Sequence, residues 1–403
     1  MLINFKVQNF RSFKEEVEFS MEAAPEIKAH RESHVRNVGE SELLKSAVLF
    51  GANASGKSNF VKALKSLFVL VAEKPTQDAN KLLYVDPFFG ILKDTSYKIQ
   101  FIKNGKCFIY ELKVNASAVV AEKLMIDNVI HFEREQQKFV KMPRIIADQA
   151  NKIRKNQLLL FFAQSQNDPE AIAAYTWFNQ DLIFADTTLR EDARILTLKA
   201  SLKDTAFKER FLAFLKYADF NITDIDVLDN LPKSSSDFSY HLWPYNVIIT
   251  HTDEQGNEFK LNMLAESSGT AKFIAVALEL LLNNLDDTKV IVFDEFNRSF
   301  HQELSQALLH LINRKSQNNQ FILTTHELSL MNGGLRSDQI YFAQKNRGGS
   351  TALFSLFAFD DSALAGADID YQRCYLEGRY QALPIISSQI LERILEEEDG
   401  KKS

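Results

Sequence analysis

The chain has 403 residues, of which 45% are hydrophobic, enough for two or three soluble, globular domains by the usual length prior. A net charge of −6 argues against a surface given over to nucleic acid, and no apolar run approaches the roughly 20 residues of a membrane helix. Lys6 and Arg11 interrupt the opening apolar residues, and Cys107 and Cys374 lack metal-ligand spacing, so the expectation is a cytoplasmic protein with no membrane partner.

Met1 to Phe10 alternates apolar and polar residues, and after Arg11-Ser-Phe13 the chain runs into Val17 to Met21, the pattern of a β-hairpin. Ala24 to Ser41 is polar and reads as a loop. Leu43 to Phe50 reads as one strand entering Gly51-Ala-Asn-Ala-Ser-Gly-Lys-Ser58, and Asn59 to Ala72 as the helix that leaves it. In a strand, loop and helix of this kind, glycines let the backbone wrap a phosphate chain while the N–H groups opening the helix point at the anion. Lys57 is then expected on the β- and γ-phosphates, and the Ser58 hydroxyl on Mg²⁺.

Tyr97 to Ile102 and Phe108 to Val114 are strands joined by Asn104-Gly105, a dipeptide suited to the positive φ angles of a tight turn. Lys138, Lys141, Arg144, Lys152, Arg154 and Lys155 crowd the next segment; like the acidic Glu396 to Asp399, they read as a solvated face. From Ile145 to Tyr217 the apolar spacing turns helical without a sustained heptad, which indicates a short helical insertion and not a coiled-coil arm. Leu231 to Asp237 is a loop, and Tyr245 to His251 with Glu258 to Met263 form another hairpin. The expected organisation is an N-terminal lobe over 1–140 with the phosphate loop and a β-subdomain, the helical insertion over 141–225, and a C-terminal lobe over 226–403.

Val290-Ile-Val-Phe-Asp-Glu295 has the form of a buried parallel strand that delivers two carboxylates to its C-terminal edge. Asp294 is expected on Mg²⁺, and Glu295 on the water that attacks the γ-phosphate. Lys57 and Asp294 are expected to end neighbouring strands of one sheet. Asp294 lies much farther along the chain than one compact βαβ unit requires, so something large stands between them. Just before this strand, Glu266-Ser-Ser-Gly-Thr270 opens an apolar helix from Phe273 to Leu282. Ser267 or Ser268 can cap that helix, and Gly269 allows a phosphate close to its N-terminus. Gln320 to His326 follows as a strand ending in histidine.

Taken in order, these four motifs resemble those of ABC-type ATPases of the SMC, RecF and OLD-like class, and the resemblance spans nearly the whole chain. Within it the sequence looks most like the compact OLD-like "AAA family ATPases" of the RloA type from bacterial antiphage and abortive-infection systems. Asn9-Phe-Arg-Ser-Phe13, Gly51-Ala-Asn53, Glu266 to Thr270, Arg298-Ser-Phe-His301 and Tyr375 to Tyr380 carry that likeness. The resemblance implies an α/β P-loop NTPase of the ABC/SMC-head type: a mixed β-sheet with flanking helices, an antiparallel β-subdomain and the short helical insertion. It implies ATP and Mg²⁺ held by Gly51, Asn53, Ser55, Gly56, Lys57, Ser58, Asn59 and Asp294, with Glu295, His326 and Lys57 serving catalysis. It also implies a homodimer or higher homo-oligomer, in which Ser267 and Gly269 of one copy touch the γ-phosphate held by another and His326 senses the same phosphate. Arg11 either contacts nucleotide from the first hairpin or is an exposed arginine. Two positions depart from the pattern: Ser268 replaces a signature glycine, and Asn297 stands where an acid is common. No glutamine after the first helix matches the usual one.

Larger OLD proteins append a Toprim nuclease. Asp368-Ile-Asp370 and Glu377 stand in the wrong order and on a helical pattern, and little chain follows His326, so the expected effector is a separately encoded protein such as a Toprim-like nuclease. Two other readings remain at this level. One is a RecF-like ATPase with DNA as partner, using the basic segment from Lys138 to Lys155. The other is a scaffold switched by ATP without turnover.

Overall fold

The computed structural model describes residues 1–403 except 74–77, 79, 92, 186–190, 218–220, 229–246, 264, 283–287, 299, 360–368 and 381–403. The loop expected over 231–237 and the acidic run at 396–399 lie outside the described residues.

Along the chain, β1 (Leu2–Gln8) and β2 (Val17–Ser20) form the expected antiparallel hairpin. The polar stretch that follows is not one loop: it holds α1 (Arg31–His34) and the antiparallel pair β3 (Val35–Val38) and β4 (Ser41–Leu44). Nor is Leu43 to Phe50 one strand, because the chain breaks at Lys45 before β5 (Ser46–Phe50). Lys45 buries its side chain there and donates to the carbonyls of Arg314 (3.0 Å) and Lys315 (3.1 Å); burial pulls its pKa down to about 8. The phosphate-loop helix is α2 (Lys57–Ala72).

A seven-stranded antiparallel sheet follows, in the order β10-β9-β8-β7-β6-β1-β2. Its strands β6 (Thr95–Lys103) and β7 (Lys106–Asn115) turn through Asn104 and Gly105 at φ 52° and 73°, the predicted tight turn. β8 (Ala118–Ile126), β9 (Val129–Glu135) and β10 (Lys138–Lys141) extend it. The stretch expected to be helical contains α3 (Leu159–Ser165), α4 (Pro169–Thr176), α5 (Glu191–Leu202) and α6 (Thr205–Tyr217), but also a strand, β11 (Leu182–Phe184). β11 pairs in parallel with the strand that carries Asp294, so this stretch supplies the edge of the central sheet and is not an insertion of helices alone. Next come β12 (Ile222–Val227), β13 (Val247–Thr252) and β14 (Glu258–Asn262), the last two forming the expected second hairpin. The chain continues with α7 (Ser268–Leu281), β15 (Val290–Phe293), α8 (Gln302–Ile312), β16 (Gln320–Thr324), β17 (Ile340–Lys345), β18 (Thr351–Ser355) and α9 (Tyr371–Leu376).

The central sheet runs β11-β15-β16-β5-β17-β18, parallel except for β18. Both its faces are covered, which accounts for the unbroken apolar runs in the sequence. Ala47, Leu49, Val290, Val292 and Ile322 point into one core, shared with α2 and the antiparallel sheet. Val48, Phe50, Ile291, Phe293, Phe321 and Leu323 point into the other, shared with α6, α7 and α8. Phe60 on α2 packs its ring edge-on to Phe5 (5.8 Å) and beside Phe19 (4.9 Å), locking the helix under the first hairpin. The two sheets are joined by the buried carboxylate of Asp181, which takes Lys103 from β6 (2.7 Å) and Lys289 from the start of β15 (2.9 Å).

A buried polar cluster anchors the inserted β3–β4 segment beside β5. Gln339 donates to Ser46 Oγ (2.8 Å) and its Oε1 meets His34 Nδ1 (2.8 Å). Burial lowers the His34 pKa to about 4, against the opposing pull of the Gln339 hydrogen bond. His34 thus stays neutral in the folded protein at a pH where it is charged in the unfolded chain. The unfolded state then binds more protons, and stability falls as pH drops from about 6.5 toward 4. Urea unfolding across that window should show this decline, with a shallower slope in His34→Gln; an identical slope in both proteins assigns the decline to other groups.

Candidate functional site

The phosphate loop closes over the carboxyl end of β5 because two glycines admit neighbouring backbone where no side chain fits. A Cβ on Gly51 would stand 2.6 Å from the Ala343 carbonyl oxygen and 2.6 Å from Ser55 Oγ. A Cβ on Gly56, at φ 112°, would collide with the Thr351 side chain. The Thr351 hydroxyl on β18 donates to the Ser55 carbonyl (2.9 Å) and lies within hydrogen-bond distance of Ser12 Oγ (2.8 Å), while the Thr351 N–H donates to the Ser12 carbonyl (2.7 Å). Asn59 on α2 donates to the same Ser12 hydroxyl (2.8 Å). Ser12 and Thr351 therefore clasp the loop from outside it. Sequence reasoning assigned neither a role: Ser12 stood only within the Asn9 to Phe13 likeness, and a threonine opening a strand carries no motif.

Inside the loop, the buried Ser55 hydroxyl has no hydrogen-bond partner among the described residues. The Lys57 ammonium folds back onto the carbonyls of Gly51 (2.6 Å) and Ala52 (2.9 Å). Burial lowers its pKa while Asp294 and Glu295 hold it up. Asn53 is exposed on the loop, which suits an approaching anion. An unpartnered buried hydroxyl, glycines packed against neighbouring groups and a buried lysine are features that suit a phosphate chain.

The acids reach this edge from β15, yet β15 is not the neighbour of β5 that the sequence led us to expect. β16 lies between them, and its last residues bridge the gap. Thr324 donates its hydroxyl to Asp294 Oδ1 (2.5 Å), and the Thr324 hydroxyl oxygen accepts the Glu295 N–H (2.8 Å). Ser58 donates to Asp294 Oδ1 at 3.3 Å. Two hard oxygens thus converge beside the loop, a donor set that fits Mg²⁺, whose remaining positions phosphate and water would fill. Among the described residues no group of three or more His, Cys, Asp or Glu could hold a metal by itself, so such an ion would depend on the nucleotide as much as on the chain.

Glu295 sits in the left-handed region at φ 50°, an uncommon conformation that surrounding contacts must maintain. Its carbonyl accepts a short hydrogen bond from Lys272 on α7, which also reaches the Asp294 carbonyl (3.4 Å). Burial brings the Lys272 pKa down to about 8. The Glu295 carboxylate pairs with Arg298 at 2.9 Å, with the two side chains 40% and 72% exposed. Asn297 is buried, accepts from the Thr325 hydroxyl (2.5 Å) and directs its amide toward Glu327 (3.5 Å). An acid in that position would face a second carboxylate, which accounts for the amide. His326 is exposed at the end of β16, between the strands of the phosphate loop and of the acids.

Three further predicted residues make contacts of their own. Arg11, at φ 49°, forms an ion pair with Asp86 (2.8 Å), and its guanidinium lies 6.0 Å from the Phe10 ring centre. Ser267 is the N-cap of α7, accepting from the Thr270 N–H (3.0 Å), and Gly269 is buried in the first turn. Near the C-terminus, Asp370 caps α9 through the Arg373 N–H (2.8 Å), and Glu377 pairs with Arg373 and Arg379. Asp368 lies outside the described residues.

Residues 46–332 match the protein family described as "AAA domain, putative AbiEii toxin, Type IV TA system". The chain belongs to this family. The span runs from β5 through the phosphate loop and both acids to just past His326, while Ser12 and Thr351, which clasp the loop, lie outside it. Solved structures that share the overall likeness are SMC heads at low identity. One, bound to the C-winged helix domain of ScpA, is 13% identical over 88% of this chain and 97% of its own, with a TM-score of 0.45. The SMC head domain from Thermotoga maritima is 14% identical over 88% and 98%, with a TM-score of 0.39. A third, with an extended coiled coil and bound to the C-terminal domain of ScpA derived from Pyrococcus furiosus, is 11% identical over 88% and 96%, with a TM-score of 0.45. No curated protein matches the sequence.

Lys57→Ala should lower the affinity for Mg·ATP by roughly 10²-fold, the scale of losing one partner of a desolvated charge pair. Isothermal titration checks this; unchanged affinity would place the phosphates elsewhere.

Proposed function

We propose that this AAA-domain protein is a Mg²⁺-dependent ATPase whose site is completed between two copies of the chain, and that its nucleotide state gates a separate effector in bacterial antiphage defence. The observation that carries the reading is the convergence of Ser58, Asp294, Thr324 and Glu295 beside the phosphate cradle at one sheet edge. The loop N–H groups and Lys57 hold the phosphates, and Ser58 with Asp294 holds Mg²⁺, which when bound neutralises charge on the β- and γ-phosphate oxygens. Glu295 orients the attacking water and accepts its proton. The new bond forms from water oxygen to the γ-phosphorus, the bridge to the β-phosphate breaks, and ADP leaves. The exposed pair with Arg298 is worth only about 0–1 kcal/mol, so the carboxylate is available for that task.

Completion by a second copy is supported by the exposure of Ser267 and Ser268 at the start of α7, a helix N-terminus suited to developing γ-phosphate charge. A two-fold axis would let each copy offer this turn to the other's nucleotide, with His326 facing the same phosphate. The toxin and antitoxin wording of the family description supports a role within a two-component defence system. The effector itself, such as a Toprim-like nuclease, belongs to the same proposal.

Glu295→Gln should retain ATP while turnover falls by roughly 10²-fold or more, the scale of a lost general base; phosphate release at the wild-type rate would assign the water to another residue. Subunit mixing tests the shared site. Lys57→Ala and Gly269→Asp proteins should each be inactive, and a mixture whose subunits exchange should regain part of the activity through one intact composite site. A mixture that exchanges and stays inactive, or a strictly monomeric protein working at full rate, rules the composite site out.

A further inference from the structure

The order of strands bears on which way a nucleotide held as proposed above would lie. β16 and β15, with His326 and the two acids, stand on one side of β5, while β17 and β18 stand on the other. A γ-phosphate directed at the acids therefore sends the nucleoside out over the β17–β18 side. That rim contains an aromatic residue the ATPase chemistry does not use. Phe89 is 73% exposed and holds a backbone φ of 45°, a costly conformation for a bulky side chain. The far edge of its ring rests on the turn between β17 and β18, with Cζ 2.5 Å from where a Cβ on Gly349 would stand. Gly349 is two residues before Thr351, the residue that packs on Gly56 of the phosphate loop.

A single exposed phenylalanine needs no explanation on its own. This one is held in place by its surroundings. The Phe88 N–H donates to Asn9 Oδ1 (3.2 Å), the Gly90 N–H to the Pro87 carbonyl (3.2 Å), and Asp86 binds both the backbone and the guanidinium of Arg11. Phe88 fills the space beneath, its ring centre 4.4 Å from that of Phe89. The strained turn thus presents one aromatic ring, braced at its edge and from below, at the rim where the nucleoside emerges. Strain retained in this way marks a position with a task.

We propose that Phe89 is the stacking platform for the purine base of the bound nucleotide. The inference rests on the ATP-binding reading above and extends it to the base. Stacking uses the π-face common to all bases, so it adds affinity that a bare phosphate chain cannot gain. The test compares Mg·ATP with Mg·tripolyphosphate, which has the phosphates without a base, in titration calorimetry on the full chain. Phe89→Ala should weaken ATP about tenfold, within the range of one base–aromatic stack, and leave tripolyphosphate unchanged; Phe89→Trp should restore ATP. ATP affinity unchanged in Phe89→Ala, or an equal loss for both probes, overturns the platform alone. A wild-type protein that binds neither probe overturns the phosphate site and the platform with it.

Discussion

The site depends on a packing constraint: the phosphate loop has no room for a Cβ at either of its structural glycines. The wall that excludes a side chain at Gly51 is the Ala343 carbonyl, and it stands there because Ile340, Tyr341 and Phe342 pair in register with Val48, Leu49 and Phe50. The wall at Gly56 is Thr351, positioned by the antiparallel return of β18 and held by Ser12 from the first hairpin. Three segments distant in sequence, the first hairpin, β5 with its loop and the β17–β18 hairpin, must therefore assemble before the loop takes its shape. Its conformation is a property of the folded sheet and not of the eight-residue string.

The same sheet explains why the acids can lie so far along the chain from the lysine. β5, β15 and β16 each send alternate residues into two separate cores, so a shift by one residue in any of them would exchange the two sets of side chains. With register fixed in this way, the carboxyl ends of the strands come level. Thr324 then does locally what no long-range motif announces, binding the carboxylate of Asp294 and the N–H of Glu295 with one hydroxyl. The single interposed strand, β16, thus joins the two halves of the site.

Much of this was legible in the sequence where local chemistry decides the outcome. The glycine string, the β-rich run ending in Asp294 and Glu295, the Asn104-Gly105 turn and a serine cap at Ser267 or Ser268 each follow from conformational preferences that act within a few residues. What was not legible depends on contacts between distant segments. β11 is three residues long inside helical spacing and becomes a strand because the edge of β15 is open to it. The interposition of β16 between β5 and β15 is likewise invisible to a reading that sees only that both are parallel and apolar. Lys45 breaks an apolar stretch because carbonyls from beyond α8 are there to receive it, and Asn297 is an amide because Glu327 faces it.

Lys272 shows how the parts of the site are mechanically joined. A left-handed Glu295 costs of order 1–3 kcal/mol, and its persistence requires that its backbone groups be held. Its N–H is held by Thr324 from β16, and its carbonyl by Lys272 from α7. The same α7 begins at the surface with Ser267 and Ser268 exposed. One turn of helix therefore separates the exposed serines from the ammonium that sets the backbone of the acid. The exposed end of α7 is therefore joined to the strained backbone of Glu295 through one lysine side chain, so the hydrogen bond of Lys272 and not the helix alone couples the two.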